Sequence, residues 1–200
     1  PIYKLFHLNL LWNNERKDDV INKILELDPE FVAVMEQSRK WRERFVELET
    51  RWPHFYQCRK TGQVNATAVY SKWPIVDGSK FCGTYAALVR VDVVAPDGNP
   101  ITFAANHIRW PWPASGPKQL NTLLPDIKTF SKDAIISGDF NATTWSWAVE
   151  KYADAAGASI VSGIGPTWMA SLPIIKSWFW AGLPIDNIME KGAGKVTSAK

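Results

Sequence analysis

An α+β fold, with mixed sheets and helices on their outer faces, is predicted for this 200-residue chain. Three features predict it. The runs Phe31-Val32-Ala33-Val34-Met35 and Ala134-Ile135-Ile136 lack polar alternation, as strands buried on both faces do. Amphipathic helical stripes fall between such runs, but strands and helices alternate only loosely, which argues against a purely parallel βαβ barrel. Pro96-Asp97-Gly98-Asn99 between two apolar runs is a hairpin turn, so at least one strand pair is antiparallel. No repeat, linker or low-complexity tract divides residues 1–200, so a single domain is expected.

The totals bound the function without choosing it. Apolar content of 46% with 22% charged residues is that of a globular chain with one sizeable core. Lys+Arg 23 against Asp+Glu 20 leaves +3, which permits a phosphate-bearing partner without demanding one. No apolar run approaches the roughly 20 residues that span a bilayer. Cys58 and Cys82 either pair or sit apart as small buried apolar residues. The unusual count is tryptophan, at 11. From Trp110 onward these fall mostly in Pro- and Gly-rich segments where loops are expected.

Taken in order, Ile2 to Asn9 is a strand with Tyr3, Leu5, His7 and Asn9 on one face. Asp18 or Asp19 caps a helix through Leu27, with Val20, Ile21 and Ile24 on its stripe, and Asp28-Pro29 stops it. The strand from Phe31 ends in Glu36. A helix from Arg39 to about Arg51 carries Trp41, Phe45, Leu48 and Trp52 inward. Short strands Phe55–Cys58 and Ala66–Tyr70 flank a turn at Thr61-Gly62. Phe81 to Val94 is one bent strand or two, and Ile101 to His107 returns from the hairpin. The stiff loop Arg109-Trp110-Pro111-Trp112-Pro113 precedes a helix with Leu120, Leu123, Leu124 and Ile127 inward, interrupted or restarted at Pro125. A strand to Gly138 and a helix from about Ser146 to Ala155, closed by Gly157, follow. Ser162 to Gly182 is irregular, and Leu183-Pro184-Ile185-Asp186 opens a last strand.

The chemistry-bearing residues share a context. Asn9, Glu36, His107, Asp139 with Asn141, and Asp186 each lie at the end of an apolar strand-like run, beside a turn. In layered α/β folds strand ends form one rim, where ligand sites gather. After Ser137-Gly138, an extended backbone puts Asp139 and Asn141 on one side and Phe140 in the core. Three carboxylates, two carboxamides and one imidazole suit a hard cation such as Mg²⁺ and suit zinc poorly.

These residues carry a family resemblance. Ser137-Gly138-Asp139-Phe140-Asn141-Ala142-Thr143, with Asn9 in the first strand, Glu36 after the second, His107 after Asn106, and Pro184-Ile185-Asp186 near the end, resembles the endonuclease/exonuclease/phosphatase superfamily. This is the fold of pancreatic deoxyribonuclease. The stretches 139–146 and 165–168 resemble its bacterial branch, whose members often carry N-terminal membrane helices. The resemblance implies a four-layer α/β/β/α sandwich and Mg²⁺- or Mn²⁺-dependent hydrolysis of phosphate esters. It assigns metal holding to Glu36 and Asn9, water activation to Asp139, phosphate contact to Asn141, and charge stabilisation or leaving-group protonation to His107. Asp186 is the aspartate that family members pair with a histidine from a terminal Ser-Asp-His motif. No histidine follows Asp186 here, and Asn187 stands where the bacterial branch often has histidine. Arg109, Trp110, Trp145 and Trp168 are the expected substrate contacts, with Trp112 and Trp147 in the same loops.

The leading expectation is therefore a monomeric nuclease acting on nucleic acid. Its start at Pro1 and the missing motif are expected to reflect a fragment of a bacterial membrane-tethered or extracytoplasmic protein lacking its last strand. A phospholipid or small-molecule phosphodiesterase or phosphatase of the same fold is an alternative. An inactive Trp-rich binding module and a metal-free hydrolase using Asp139 with Asp186 are others. The sequons at Asn65 and Asn141 are discounted, because a glycan on Asn141 would block the site.

Overall fold

The strand Phe31–Gln37 (β2) is apolar on both faces because it has a core on each side. Phe31, Ala33 and Met35 enter the core between two sheets, while Val32 and Val34 enter the core beneath helices. The computed structural model describes residues 2–59, 66–113, 115–169 and 182–199. The Thr61-Gly62 turn, Asn65, Trp178 and Trp180 lie outside the described residues.

β2 pairs in parallel with β1 (Leu5–Asn9) and antiparallel with β4 (Ala66–Ser71), which pairs antiparallel with β3 (His54–Cys58). This first sheet has the order β1-β2-β4-β3. The second contains β5 (Phe81–Cys82), β6 (Leu88–Val94), β7 (Pro100–His107), β8 (Ala134–Asp139), β9 (Ser159–Ile160) and β10 (Asp186–Lys191), in the order β5-β6-β7-β8-β10-β9. Its β7–β8 pair is parallel and the others are antiparallel, the β6–β7 pair being the expected hairpin. Both sheets are mixed.

Helices α1 (Lys17–Leu27) and α2 (Arg39–Phe45) cover the first sheet through Ile21, Ile24, Trp41 and Phe45. Helices α3 (Gly116–Ile127) and α4 (Trp147–Ala156) cover the second through Leu120, Leu123, Ile127, Val149 and Tyr152. Phe103, Ala105, Val89 and Val91 meet Phe31, Ala33 and Met35 between the sheets. Helix, sheet, sheet and helix thus stack in four layers, as the resemblance implied.

Several boundaries differ from expectation. β1 begins at Leu5, not Ile2. Arg16, not Asp18 or Asp19, is the cap of α1; the two aspartates lie in its first turn, where the positive end of the helix favours them. α2 stops at Phe45 and tightens into a 3-10 turn, Val46–Leu48, which still turns Leu48 inward with Trp41, Phe45 and Trp52. α3 runs unbroken past Pro125, which is exposed in the last turns, where water can serve the carbonyl that the proline leaves unpaired. Phe81 to Val94 is two strands, divided by a 3-10 turn at Thr84–Ala86. β9 was not anticipated. α4 matches its expectation, with Ser146 Oγ accepting from Val149 N at 3.3 Å and Gly157 ending it at φ 63°.

Cys58 and Cys82 are joined, which links β3 to β5, edge strands of opposite sheets, with Cα atoms 5.6 Å apart. No helix among the described residues is long and apolar enough to cross a membrane.

Beneath the second sheet, Tyr152 Oη donates to Asn106 Oδ1 at 2.9 Å, and Asn106 Nδ2 donates to Ser137 O at 3.3 Å. Burial of Tyr152 pushes its hydroxyl well above the ordinary phenol range, so it stays a donor. Tyr152→Phe leaves Asn106 Oδ1 buried without this donor and is expected to cost about 1–2 kcal/mol, read as a lowered urea midpoint at unchanged slope.

Candidate active site

Parallel strands β1 and β2 end together, as do parallel strands β7 and β8, and β10 begins beside the end of β8. Their polar last residues therefore converge at one rim of the sandwich. Asn9, Glu36, His107, Asp139, Asn141 and Asp186 are all found there.

Asn9 is the hinge of the arrangement. It shares the Leu5–His7 face of β1 and points between the sheets. Its Nδ2 donates to Glu36 Oε1 at 3.2 Å and to Asp139 Oδ2 at 3.0 Å, so one carboxamide ties carboxylates from two sheets together. Its Oδ1 accepts from Leu11 N at 3.1 Å.

Glu36 reaches the site by breaking its strand's alternation. Regular pleating puts it on the same face as Val34, under the helices. A bulge between Val34 and Gln37 adds one residue to β2, and Glu36 sits at φ 55°. A left-handed glutamate costs about 1–2 kcal/mol. The distortion aims its carboxylate at Asn9, at the backbone N–H of Trp12 (3.1 Å) and toward His107, whose Nε2 is 4.0 Å from Oε1.

Asp139 and Asn141 depart from the extended geometry expected of them. Asn141 adopts φ 48°, a conformation asparagine tolerates, and its N–H donates to Asp139 Oδ1 at 2.9 Å in an Asx-type turn. Asn141 Nδ2 donates to Ile108 O at 2.8 Å, so one of its two N–H bonds is spent on the fold. Asn187 Nδ2 donates to Ala142 O at 2.9 Å and pins the loop from behind. Phe140 is buried, as expected.

Asp186 lies directly opposite Asp139 in the β8–β10 register. Burial first, then the Asp186 charge, pushes the Asp139 carboxyl above the usual carboxylate range, against the lowering pull of His107, Asn9 and Asn141 N–H. For Asp186, burial also acts upward and is its largest single influence. The hydrogen bond and charge of His7, with Thr167 and His107, nevertheless hold it below the ordinary value. Two adjacent carboxyls with proton affinities pushed apart is a pattern suited to acid–base work.

The expected substrate residues form a more dispersed set. Trp110 packs edge-on against Trp168 at 5.7 Å, both partly exposed. The Arg109 guanidinium lies over Tyr85 at 4.6 Å. Trp145 is 66% exposed in the turn after Asn141. Trp112 is 84% exposed, and Trp147, in the first turn of α4, carries Lys151 over its ring at 4.5 Å.

Three participants went unnoticed in the sequence. His7 Nε2 donates to Asp186 Oδ1 at 2.9 Å. Thr167 Oγ1 accepts from the Ile185 and Asp186 N–H groups at 3.2 and 3.1 Å. Trp12 donates its backbone N–H to Glu36. The two-residue spacing of His7 and Asn9 on one strand face was a usable signal for the first. Thr167 lies in the 165–168 stretch that carries part of the family resemblance, and nothing local marks the Trp12 N–H.

The donors around Glu36 and Asp139 are oxygens, which suits a hard cation. Among the described residues, no group of three or more His, Cys, Asp or Glu gathers closely enough to cage an ion. Mg²⁺ is usually held by one or two carboxylates, with water and substrate phosphate completing its shell. Glu36 with Asp139 is a donor set of that kind.

A family model described as the Endonuclease/Exonuclease/phosphatase family matches residues 6–193. Solved structures with similar folds include D. rerio TDP2 complexed with single strand DNA product (15% identity, TM-score 0.73, covering 97% of this chain and 85% of that one). An AP endonuclease from Archaeoglobus fulgidus is similar at 14% identity and TM-score 0.71, over 95% of this chain and 87% of that one. A beta hairpin deletion mutant of beta toxin from Staphylococcus aureus is similar at 14% identity and TM-score 0.68, over 97% and 89%. No curated protein sequence matches.

Proposed function

Because the chain belongs to the endonuclease/exonuclease/phosphatase family, we propose that it is a divalent-metal-dependent phosphodiesterase acting on nucleic acid. The observation that carries the reading is the Asn9 bridge. It brings a strained Glu36 and an Asp139 whose carboxyl is pushed above the usual carboxylate range, from different sheets, into one cluster. Backbone strain of this kind and facing buried carboxylates cluster at active sites, which supports the reading.

Each residue has a role that its geometry supports. Glu36 would hold Mg²⁺ or Mn²⁺, with Asn9 fixing its carboxylate through the amide N–H rather than through an amide oxygen. When bound, the ion supplies charge neutralisation at the phosphate. Asp139 accepts a proton from the attacking water, its raised proton affinity fitting it for the task. Asn141 offers its remaining N–H to a phosphate oxygen. His107, 4.0 Å from Glu36 and partly exposed, stabilises developing charge or protonates the leaving oxygen.

Nucleic acid is favoured as substrate by three observations. The net charge is +3. Exposed Trp110, Trp145 and Trp168 can stack on bases, worth about 1–3 kcal/mol per base. A single-stranded DNA product occupies the similar D. rerio TDP2 structure. A lipid headgroup is the second reading, favoured by the extreme exposure of Trp112.

The test is hydrolysis of single-stranded DNA and of phospholipid vesicles by the full chain, in Mg²⁺, in Mn²⁺ and after EDTA. DNA cleavage that EDTA abolishes and Mg²⁺ restores is expected, with binding that weakens steeply as salt rises. Cleavage that persists in EDTA rejects the metal. Turnover only on vesicles shifts the substrate to lipid.

A further inference from the structure

We propose that His7 is a positioning residue of the active site, anchoring Asp186 beside Asp139. The inference rests on the phosphodiesterase reading and adds to it a residue from the strand farthest in sequence from Asp186.

The geometry is specific. His7 and Asn9 are two residues apart on one face of β1, and each holds one of the two carboxylates that face each other across β8 and β10. Asn9 holds Asp139; His7 holds Asp186. The first sheet thus reaches across the sandwich with two side chains to steady a pair built by the second. The His7–Asp186 bond spans 179 positions and is largely shielded, with side-chain exposures of 11% and 19%. Thr167 accepts from the Asp186 N–H and its hydroxyl also acts on the carboxylate, while His7 is the ring that bonds Oδ1 directly.

The other ring nitrogen makes the case against simple packing. His7 Nδ1 is buried and finds no hydrogen-bond partner among the described residues. An unmade bond of this kind is costly, and an apolar side chain would fill the space without that cost. What the imidazole provides and an apolar residue cannot is the Nε2–H bond to Asp186. That bond therefore accounts for a histidine at this position. Holding Asp186 in one rotamer keeps its charge fixed opposite Asp139, where a swinging carboxylate would reach for other donors.

The experiment compares His7→Gln with His7→Asn in the full chain, using bis(p-nitrophenyl) phosphate with Mg²⁺. Glutamine places an amide N–H near the position of Nε2; asparagine is too short to reach Asp186. His7→Asn is expected to lose about 10–100-fold in kcat with little change in KM. His7→Gln should recover most of the loss, and adding His7→Asn to Asp186→Asn should cost nothing more. A merely structural histidine would lower Tm in both variants without separating their kcat values. Equal kcat in wild type and His7→Asn, or losses that multiply with Asp186→Asn, overturns the positioning role alone. A wild-type chain that cleaves no phosphodiester in Mg²⁺ overturns the phosphodiesterase reading, and the role of His7 falls with it. If His7→Asn fails to fold by circular dichroism, His7→Leu takes its place: it fills the space without the bond to Asp186, so a loss of about 10–100-fold in kcat that His7→Gln does not share supports the role, and wild-type kcat in folded His7→Leu overturns it.

Discussion

Asp139→Asn is expected to lower kcat by about 10²–10⁴-fold while leaving a folded protein. The substitution removes the carboxylate proposed to take a proton from water and keeps nearly the same volume. The remaining amide oxygen can still accept from Asn141 N–H, so the Asx-type turn that shapes the loop survives. The contact that suffers is the one with Asn9, whose Nδ2 would face a second amide group and lose one of its two acceptors, keeping Glu36 Oε1. Because Asn9 also holds Glu36, metal affinity should weaken alongside the rate. Mn²⁺ titration by electron paramagnetic resonance separates the two effects. A loss of kcat that persists at saturating Mn²⁺ is the expected result. Recovery of full turnover at saturating metal would show that Asp139 serves only to organise the ion site.

Gly138→Ala is expected to be the most damaging small substitution in the second sheet. A Cβ on Gly138 would lie 2.6 Å from Asn106 Cβ, 2.7 Å from Asn106 O and 3.0 Å from Asn106 Cα. Most of that obstruction is backbone on the neighbouring strand, which cannot rotate away. Gly138 pairs with Asn106 on one side and with Asn187 on the other, so β8 has no free direction in which to move. Overpacking of this kind costs about 3 kcal/mol or more. For a chain of this size each kcal/mol lowers Tm by about 2–4 °C, so a fall of roughly 6–12 °C is expected in a thermal melt. The neighbouring Asp139 would be displaced with the strand, so turnover should fall as well. An unchanged Tm would mean that the β7–β8 register differs from the one described.

Gly138 shows how one motif serves two ends. Glycine before aspartate was readable as a turn former, but its positive-φ freedom is not what the fold uses. It is there for space, to let β7 and β8 lie close enough that His107 and Asp139 end side by side. A lone glycine does not announce which of these two needs it meets.

Local pattern determined most of the elements and the identity of the rim. The doubly apolar run at 31–35 read as a strand between two cores, the turn at 96–99 as the close of a hairpin, and the polar residues ending successive runs as strand ends. These conclusions rest on side-chain periodicity, which acts over a few residues and is written in neighbouring letters. Tertiary structure decided what depends on partners distant in the chain. It chose the disulfide between Cys58 and Cys82 where sequence left the pairing open. It bulged β2 to turn Glu36 out of its pleat, bent Asn141 into the left-handed region, and brought His7 from the first strand to Asp186 on the last. A hydrogen bond between residues 179 apart has no local signature. It exists only once two sheets have packed and brought their ends to the same rim.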